Sequence, residues 1–135
     1  MTFLDTGILV GAVLESHPLH TACISAVEDS SDPFTDAHAL AETFSTLTGF
    51  YRISTGTAAE LTLGLQELVR VEPLALADYQ TAIGEARSRG VMGGGIYDSL
   101  HATFARRKKA SLIVTSNPSD FHHVAPDIEI QIPES

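Results

Sequence analysis

An α/β domain with a central, mostly parallel sheet and helices packed on its faces is the fold class this sequence predicts, and three observations predict it. Short β-branched and aromatic runs interleave with longer stretches whose apolar residues recur at helical spacing. A length of 135 residues with 44% hydrophobic content fits one compact domain, residues 1–135, with a sizeable core and no room for a second. The chain also carries no internal repeat, linker or low-complexity tract.

The elements follow in order. Phe3-Leu4 ends a first strand, and Ile8-Leu9-Val10 with Ala12-Val13-Leu14 forms the helix after it. Ser16-His17-Pro18 is a helix start, continued by Leu19, Ala22, Cys23, Ala26 and Val27. After Asp32-Pro33, Phe34-Thr35 reads as a brief strand. Ala37, Leu40, Ala41, Phe44 and Leu47 then share a helical face that ends near Gly49. Thr57-Ala58-Ala59-Glu60 has the capping-box spacing, so another helix is expected to begin there. The stretch 68–74 alternates as a strand, and 77–88 is helical, closed by Gly90. Gly93-Gly94-Gly95 is a loop, 96–109 a helix, 112–115 a buried strand, and 128–132 an alternating last strand.

Charge bounds the function. A formal net charge of -9, from 17 Asp and Glu against 8 Lys and Arg, disfavours a protein that grips nucleic acid through bulk charge, because that grip comes from neutralising phosphates. Any such contact must be local. Arg106-Arg107-Lys108-Lys109 is the basic run, holding half of all the Lys and Arg, and it reads either as a solvated helix end or as an RNA-backbone patch assisted by Arg52 or by Arg87 and Arg89. The single Cys23 lies on an apolar helical face and fits a buried role in a reducing compartment. No basic leader and no apolar run of about 18 residues is evident, so the expectation is a cytoplasmic protein with no membrane span.

Four acidic or amide positions stand out. In open parallel sheets ligands bind beyond the carboxyl ends of the strands, and Asp5 and Asn117 each follow a strand. Glu42 sits on a helix among Leu40, Ala41, Thr43 and Phe44, where an acid is costly unless it is paired or binds a metal. Asp98 falls in the first turn of the helix after the triple glycine, where a favourable charge on the helix dipole is the plain alternative. Carboxylates gathered at one rim resist ionisation until a divalent cation joins them, and oxygen-only ligands favour Mg²⁺ or Mn²⁺ over Zn²⁺. A cation so held is equipment for phosphodiester hydrolysis.

The order Phe3-Leu4-Asp5-Thr6-Gly7, Ala41-Glu42-Thr43-Phe44, 96–102 (IYDSLHA) and 114–121 (VTSNPSDF) resembles the PIN-domain ribonucleases, in particular the VapC toxins of bacterial toxin-antitoxin pairs. The resemblance runs along essentially the whole chain. It implies a three-layer α/β/α PIN-like fold, Mg²⁺- or Mn²⁺-dependent endoribonuclease activity on an RNA substrate, a small VapB-like antitoxin as partner, and a homodimer. By position it carries the metal-holding and catalytic roles to Asp5, Glu42, Asp98 and Asn117, with Thr6, Thr115 and Asp120 in support. This chain departs from the family at Asn117, where an Asp is common. Asn offers an oxygen without charge, which leaves open a catalytically weakened domain that serves as a binding partner. A phosphatase using Asp5 as nucleophile is a further alternative, but the second Asp that such enzymes need two residues on is Gly7 here.

The histidines match no compact zinc template. His17 and His20 flank a helix start, His122-His123 are expected in a loop, and His101 shares the face of Asp98 at a spacing of three, either packed or near substrate. The triple glycine serves as a mobile approach to Asp98 or as a phosphate contact; it lacks the Lys and Ser/Thr of a P-loop. Gln66, Glu67 and Tyr79 read as ordinary helix surface.

Overall fold

The computed structural model describes residues 1–134 as a parallel sheet of five strands in the order β3-β2-β1-β4-β5, with helices on both faces. β1 (Thr2–Leu4) is the central strand and pairs in parallel with β2 (Pro33–Asp36) on one side and β4 (Leu112–Val114) on the other. The outer strands are β3 (Arg70–Glu72) beside β2 and β5 (Glu129–Gln131) beside β4, both also parallel. The chain therefore builds outward from β1 in one direction, then returns to build in the other. The strand order reverses between β1 and β4, and a crevice opens beyond the carboxyl ends of strands at such a reversal.

Alternation along the strands sorts the core into two layers. Leu4 and Val114 face α1 (Thr6–Val13) and α2 (His20–Asp29), packing with Ile8, Leu9, Ala12, Cys23 and Val27. Phe3 and Ile113 face the other way, toward α6 (Gly95–Arg107) and α7 (Pro118–Val124), and meet Phe34, Phe104 and Phe121. Phe3 stands edge-on to Phe34 at 5.6 Å, a favoured aromatic geometry. Helix α1 is apolar nearly all round because it is covered nearly all round, with Ile8, Leu9, Val10 and Ala12 buried. It crosses α2 closely: a β-carbon on Gly11 would lie 2.5 Å from Cys23 Sγ.

A third apolar cluster joins α1 to α3 (His38–Gly49) and α4 (Thr55–Gly64) through Val10, Leu14, Leu47 and Ala58. Helix α5 (Leu76–Arg89) ends at Gly90, whose φ of 67° is the left-handed conformation that glycine adopts without strain. Among the described residues no helix is long and apolar enough to cross a membrane.

The structure corrects several boundaries. Helix α4 begins at Thr55, capped by Ser54, whose Oγ accepts from Thr57 N, so Thr57 lies inside the first turn and is not the cap. Helix α2 begins at His20, because Ser16 to Leu19 form a turn in which His17 Nδ1 accepts from Leu19 N. The alternating stretch 68–74 contributes only Arg70–Glu72 to the sheet, since a 3₁₀ turn over Leu65–Glu67 precedes it and Leu68 is exposed. The largest departure is α7. Pro118 at its first position makes a helix of the segment expected to be a loop, and His122 and His123 lie in its last turn.

Candidate functional site

Asp5 follows β1 and Thr115 follows β4, so both stand at the reversal point of the sheet. Asp5 is 4% exposed and caps α1, its Oδ1 accepting from Thr6 N at 2.7 Å. Its Oδ2 accepts from Thr115 Oγ1 at 2.8 Å, and that hydroxyl in turn accepts from the backbone N–H of Asn117 at 3.0 Å. The carboxylate is thus fixed from two strand ends. Burial raises its pKa above the ordinary aspartate value, opposed by the charge of His101 and by these hydrogen bonds. Gly7 lets the start of α1 approach the loop after β4, since a β-carbon there would meet Ser116 Oγ at 2.6 Å.

Glu42 comes from α3 and is met by His101 from α6. His101 Nε2 donates to Glu42 Oε1, while Nδ1 donates to Asp36 Oδ2 at 2.5 Å. Asp36 ends β2, is fully buried, and uses its other oxygen to accept Ala39 N in the first turn of α3. Burial disfavours the charged imidazole, but the bonds and charges of Asp36 and Glu42 outweigh it and push His101 up to about 10. A buried histidinium therefore lies between two carboxylates. Among the described residues every polar contact to Glu42 falls on one oxygen: Oε1 also accepts from Thr6 Oγ1 at 3.4 Å and lies 4.0 Å from His38 Nε2. Oε2 is left for something else.

Asp98 stands in the first turn of α6 and Asp120 in the first turn of α7. Together they line a cleft of about 460 Å³ with Gly94, Gly95, Met92 and His123. Burial pushes the Asp98 carboxyl up to about 6, reinforced by the negative charge of Asp5, Asp120 and Glu42 and opposed by His101. Asn117 behaves differently from its sequence expectation. It is exposed at the cap of α7, and its contact with this centre is the backbone N–H on Thr115. The helix after Pro118 places Asp120 among the charges that act on Asp98.

Asp5, Glu42, Asp98 and Asp120 are thus neighbours in charge, with Thr6 and Thr115 as their hydrogen-bond donors. Among the described residues no three Asp, Glu, His or Cys side chains are gathered so as to hold a metal ion as they stand, and Glu42 is bonded to His101. The donor set nevertheless fits a hard divalent cation. It is all oxygen, and the mutual repulsion that lifts Asp98 is what such a cation would oppose.

The basic run lies at the other end of α6. Arg107 forms a two-pronged pair with the buried Asp78, with Nε to Oδ1 at 2.7 Å and Nη2 to Oδ2 at 2.9 Å. Arg106 does the same with Asp127, and Lys108 reaches Glu72 at 3.2 Å. Of the four residues expected as an RNA patch, only Lys109 makes no ion pair among the described residues. Eight residues of helix separate Asp98 from Arg106, a rise of about 12 Å, so the run does not border the carboxylates.

The sequence reading passed over Asp36 altogether and left His101 between packing and function. The available signal for Asp36 was an acid closing a strand, the same position that singled out Asp5.

An open parallel sheet with acidic side chains clustered at its reversal point defines the class of this protein. The family described as "PIN domain" matches residues 2–126, and the chain belongs to that family. Among solved structures it is similar to the Mycobacterium tuberculosis VapC20, a sarcin-ricin loop cleaving toxin. That match has a TM-score of 0.72 and 16% identity over 84% of this chain and 87% of that one. It is also similar to VapBC2 from Rickettsia felis bound to a promoter DNA fragment, with a TM-score of 0.72 and 17% identity over 98% of both chains. A third is VapBC-1 from nontypeable Haemophilus influenzae, with a TM-score of 0.69 and 18% identity over 97% of this chain and 96% of that one. These likenesses are of fold. A comparison with curated protein sequences returns no match.

Proposed function

We propose that this chain is a metal-dependent endoribonuclease, the toxin of a toxin-antitoxin pair, which hydrolyses RNA phosphodiester bonds with Mg²⁺ or Mn²⁺. The observation that carries the reading is the carboxyl of Asp98, lifted to about 6 by burial and by the converging charges of Asp5, Asp120 and Glu42. A protein tolerates such repulsion where the groups serve a site. Membership of the PIN family supports the reading, as does likeness to a toxin described as cleaving the sarcin-ricin loop. Structures of relatives solved as toxin-antitoxin complexes support a small VapB-like antitoxin as partner. A homodimer completes the proposal.

In this reading Asp5, Asp98 and Glu42 hold the ion, with Asp120 beside them. When bound, a divalent cation stabilises charge on phosphate oxygens and lowers the pKa of an attacking water. The protein's own contribution is alignment. Thr6 N and Thr115 Oγ1 fix the plane of the Asp5 carboxylate. His101 anchors Oε1 of Glu42. Asn117 acts through its backbone, by orienting Thr115.

A second reading is favoured by one observation, the closure of Glu42 onto His101: a PIN domain that keeps its fold and binds a partner without cutting. Both are tested by incubating the purified, antitoxin-free protein with a mixed structured RNA pool in Mg²⁺ or Mn²⁺, against EDTA and against Asp98→Asn. Cleavage abolished in both controls is expected. An intact pool with a folded protein would overturn the nuclease and leave the binding domain.

A further inference from the structure

We propose that the stacked pair His38 and Tyr97 is a platform that seats one unpaired nucleobase of the RNA next to the bond being cut. The inference rests on the ribonuclease reading and adds a binding site to it.

His38 opens α3 four residues before Glu42, and Tyr97 immediately precedes Asp98 in α6. The two helix starts bring their rings face to face, with centroids 5.2 Å apart and planes 15° from parallel. Tyr97 keeps 45% of its surface exposed, a large aromatic face left in water. Beside the pair a groove of about 400 Å³ runs along α3, lined by His38, Ala41, Glu42, Ser45, Thr46 and Tyr97. Its lining includes the small apolar side chain of Ala41. Its walls offer hydroxyls at Ser45 and Thr46 and a carboxylate at Glu42, suited to the donor and acceptor edges of a base. Because Glu42 belongs both to this groove and to the carboxylate centre, a base held here lies next to the reacting phosphate.

Charge strengthens the case. The chain carries a net charge of -9, and three of the four residues of its basic run are committed to internal ion pairs. Ordinary phosphate neutralisation is therefore weak, and affinity for RNA needs a source other than bulk charge. Stacking of bases on aromatic rings is that source in single-strand binders, where alanine substitution costs about ten- to a hundredfold per base. A peptide segment would use the same groove for an apolar side chain, but the polar walls favour a base.

The test uses the shortest oligoribonucleotide that the protein cleaves, and a set of variants of it with a single abasic position. For the wild type, kcat/KM is expected to fall about ten- to a hundredfold at one abasic position beside the cut and little elsewhere. Tyr97→Ala, with an unchanged melting temperature, is expected to show that loss on the complete RNA and no further loss on the abasic one. Tyr97→Phe is expected to match the wild type. A flat abasic profile, or Tyr97→Ala cleaving as the wild type does, would overturn the platform while leaving the nuclease intact, and would assign the groove to a protein segment. A wild type that cuts no RNA would remove the ribonuclease reading and this inference with it.

Discussion

His101 Nδ1 lies 2.5 Å from Asp36 Oδ2, and both side chains are all but sealed from solvent. An isolated charge there would be prohibitive, but the imidazole is charged between two carboxylates and its pKa is raised from 6.5 to about 10, against the opposing effect of burial. A group whose folded pKa is raised stabilises fully below its unfolded value and loses that stabilisation as the pH climbs through the folded one. The wild type is therefore expected to lose stability between pH 6.5 and pH 10. His101→Gln, neutral throughout, is expected to start lower and stay flat over the same range. Thermal melts across that window check it; parallel curves for the two proteins would contradict a charged His101.

Asp98 follows the same pH direction for the opposite reason, because here it is the charged form that is disfavoured. Its carboxyl is raised to about 6 by burial and by neighbouring acids, so the ionised form costs stability, and that cost appears as the pH rises from 3.8 through 6. At pH 7.5 without divalent ions, Asp98→Asn is expected to be more stable than the wild type, by roughly 1 kcal/mol, since solvent screening at this partly exposed carboxyl reduces the effect of the shift. Added Mn²⁺ is expected to reverse the ranking, because a ligand that binds the folded state at 100 times its Kd adds about 2.7 kcal/mol. Denaturant titrations with and without Mn²⁺ measure both effects. A wild type indifferent to Mn²⁺ would count against the proposed metal site at Asp98.

These two predictions also show what was legible in the sequence. Asp5 and Asp98 could be placed because each follows a local rule, a strand end and a first helical turn, that survives without knowledge of the partner. The alternation of strands and helices likewise gave the parallel layers. Asp36 and His101 were illegible because their pairing joins residues 65 apart, and nothing in either local pattern announces the other. The misjudged loop at 118–124 has a different cause. Pro118 reads as a breaker in a short segment, yet at the first position of a helix its missing N–H has no bond to lose. That helix also puts Asp120 among the acids whose charge acts on Asp98. The basic run was read as free charge because the acids that neutralise it, Asp78, Asp127 and Glu72, lie on other elements.

The pair of Arg107 with Asp78 ties α5 to α6 and serves structure. Asp78 is 1% exposed and its Oδ2 also accepts from Ala75 N at 2.8 Å, so removing the guanidinium strands a buried carboxylate. Arg107→Met is expected to cost about 2–3 kcal/mol, below the full value for a buried pair because the arginine is partly exposed. Despite its own burial, Asp78 is held below the usual carboxylate pKa by Arg107, so this stabilisation is present above pH 3.8 and fades as the pH falls further. Below its melting transition the variant should cleave RNA at the wild-type rate. A drop in RNA affinity with unchanged stability would instead restore the run as a nucleic-acid surface.

Helix α1, which Asp5 caps, crosses α2 closely, and Gly11 permits the approach. A β-carbon at this position would stand 2.5 Å from Cys23 Sγ and 3.1 Å from Cys23 Cβ, and the thiol is too deeply buried to swing aside. Gly11→Ala is expected to destabilise the protein by about 1–3 kcal/mol through overpacking, against the usual gain from alanine in a helix. Cys23→Ala removes the nearer sulfur but leaves the β-carbon at 3.1 Å, so the double variant should recover part of the loss, with a coupling of at least about 0.5 kcal/mol. Urea unfolding of the two single variants and the double variant completes the cycle. Strict additivity would mean that the helices separate freely, and that glycine at position 11 has no part in holding α1 against α2.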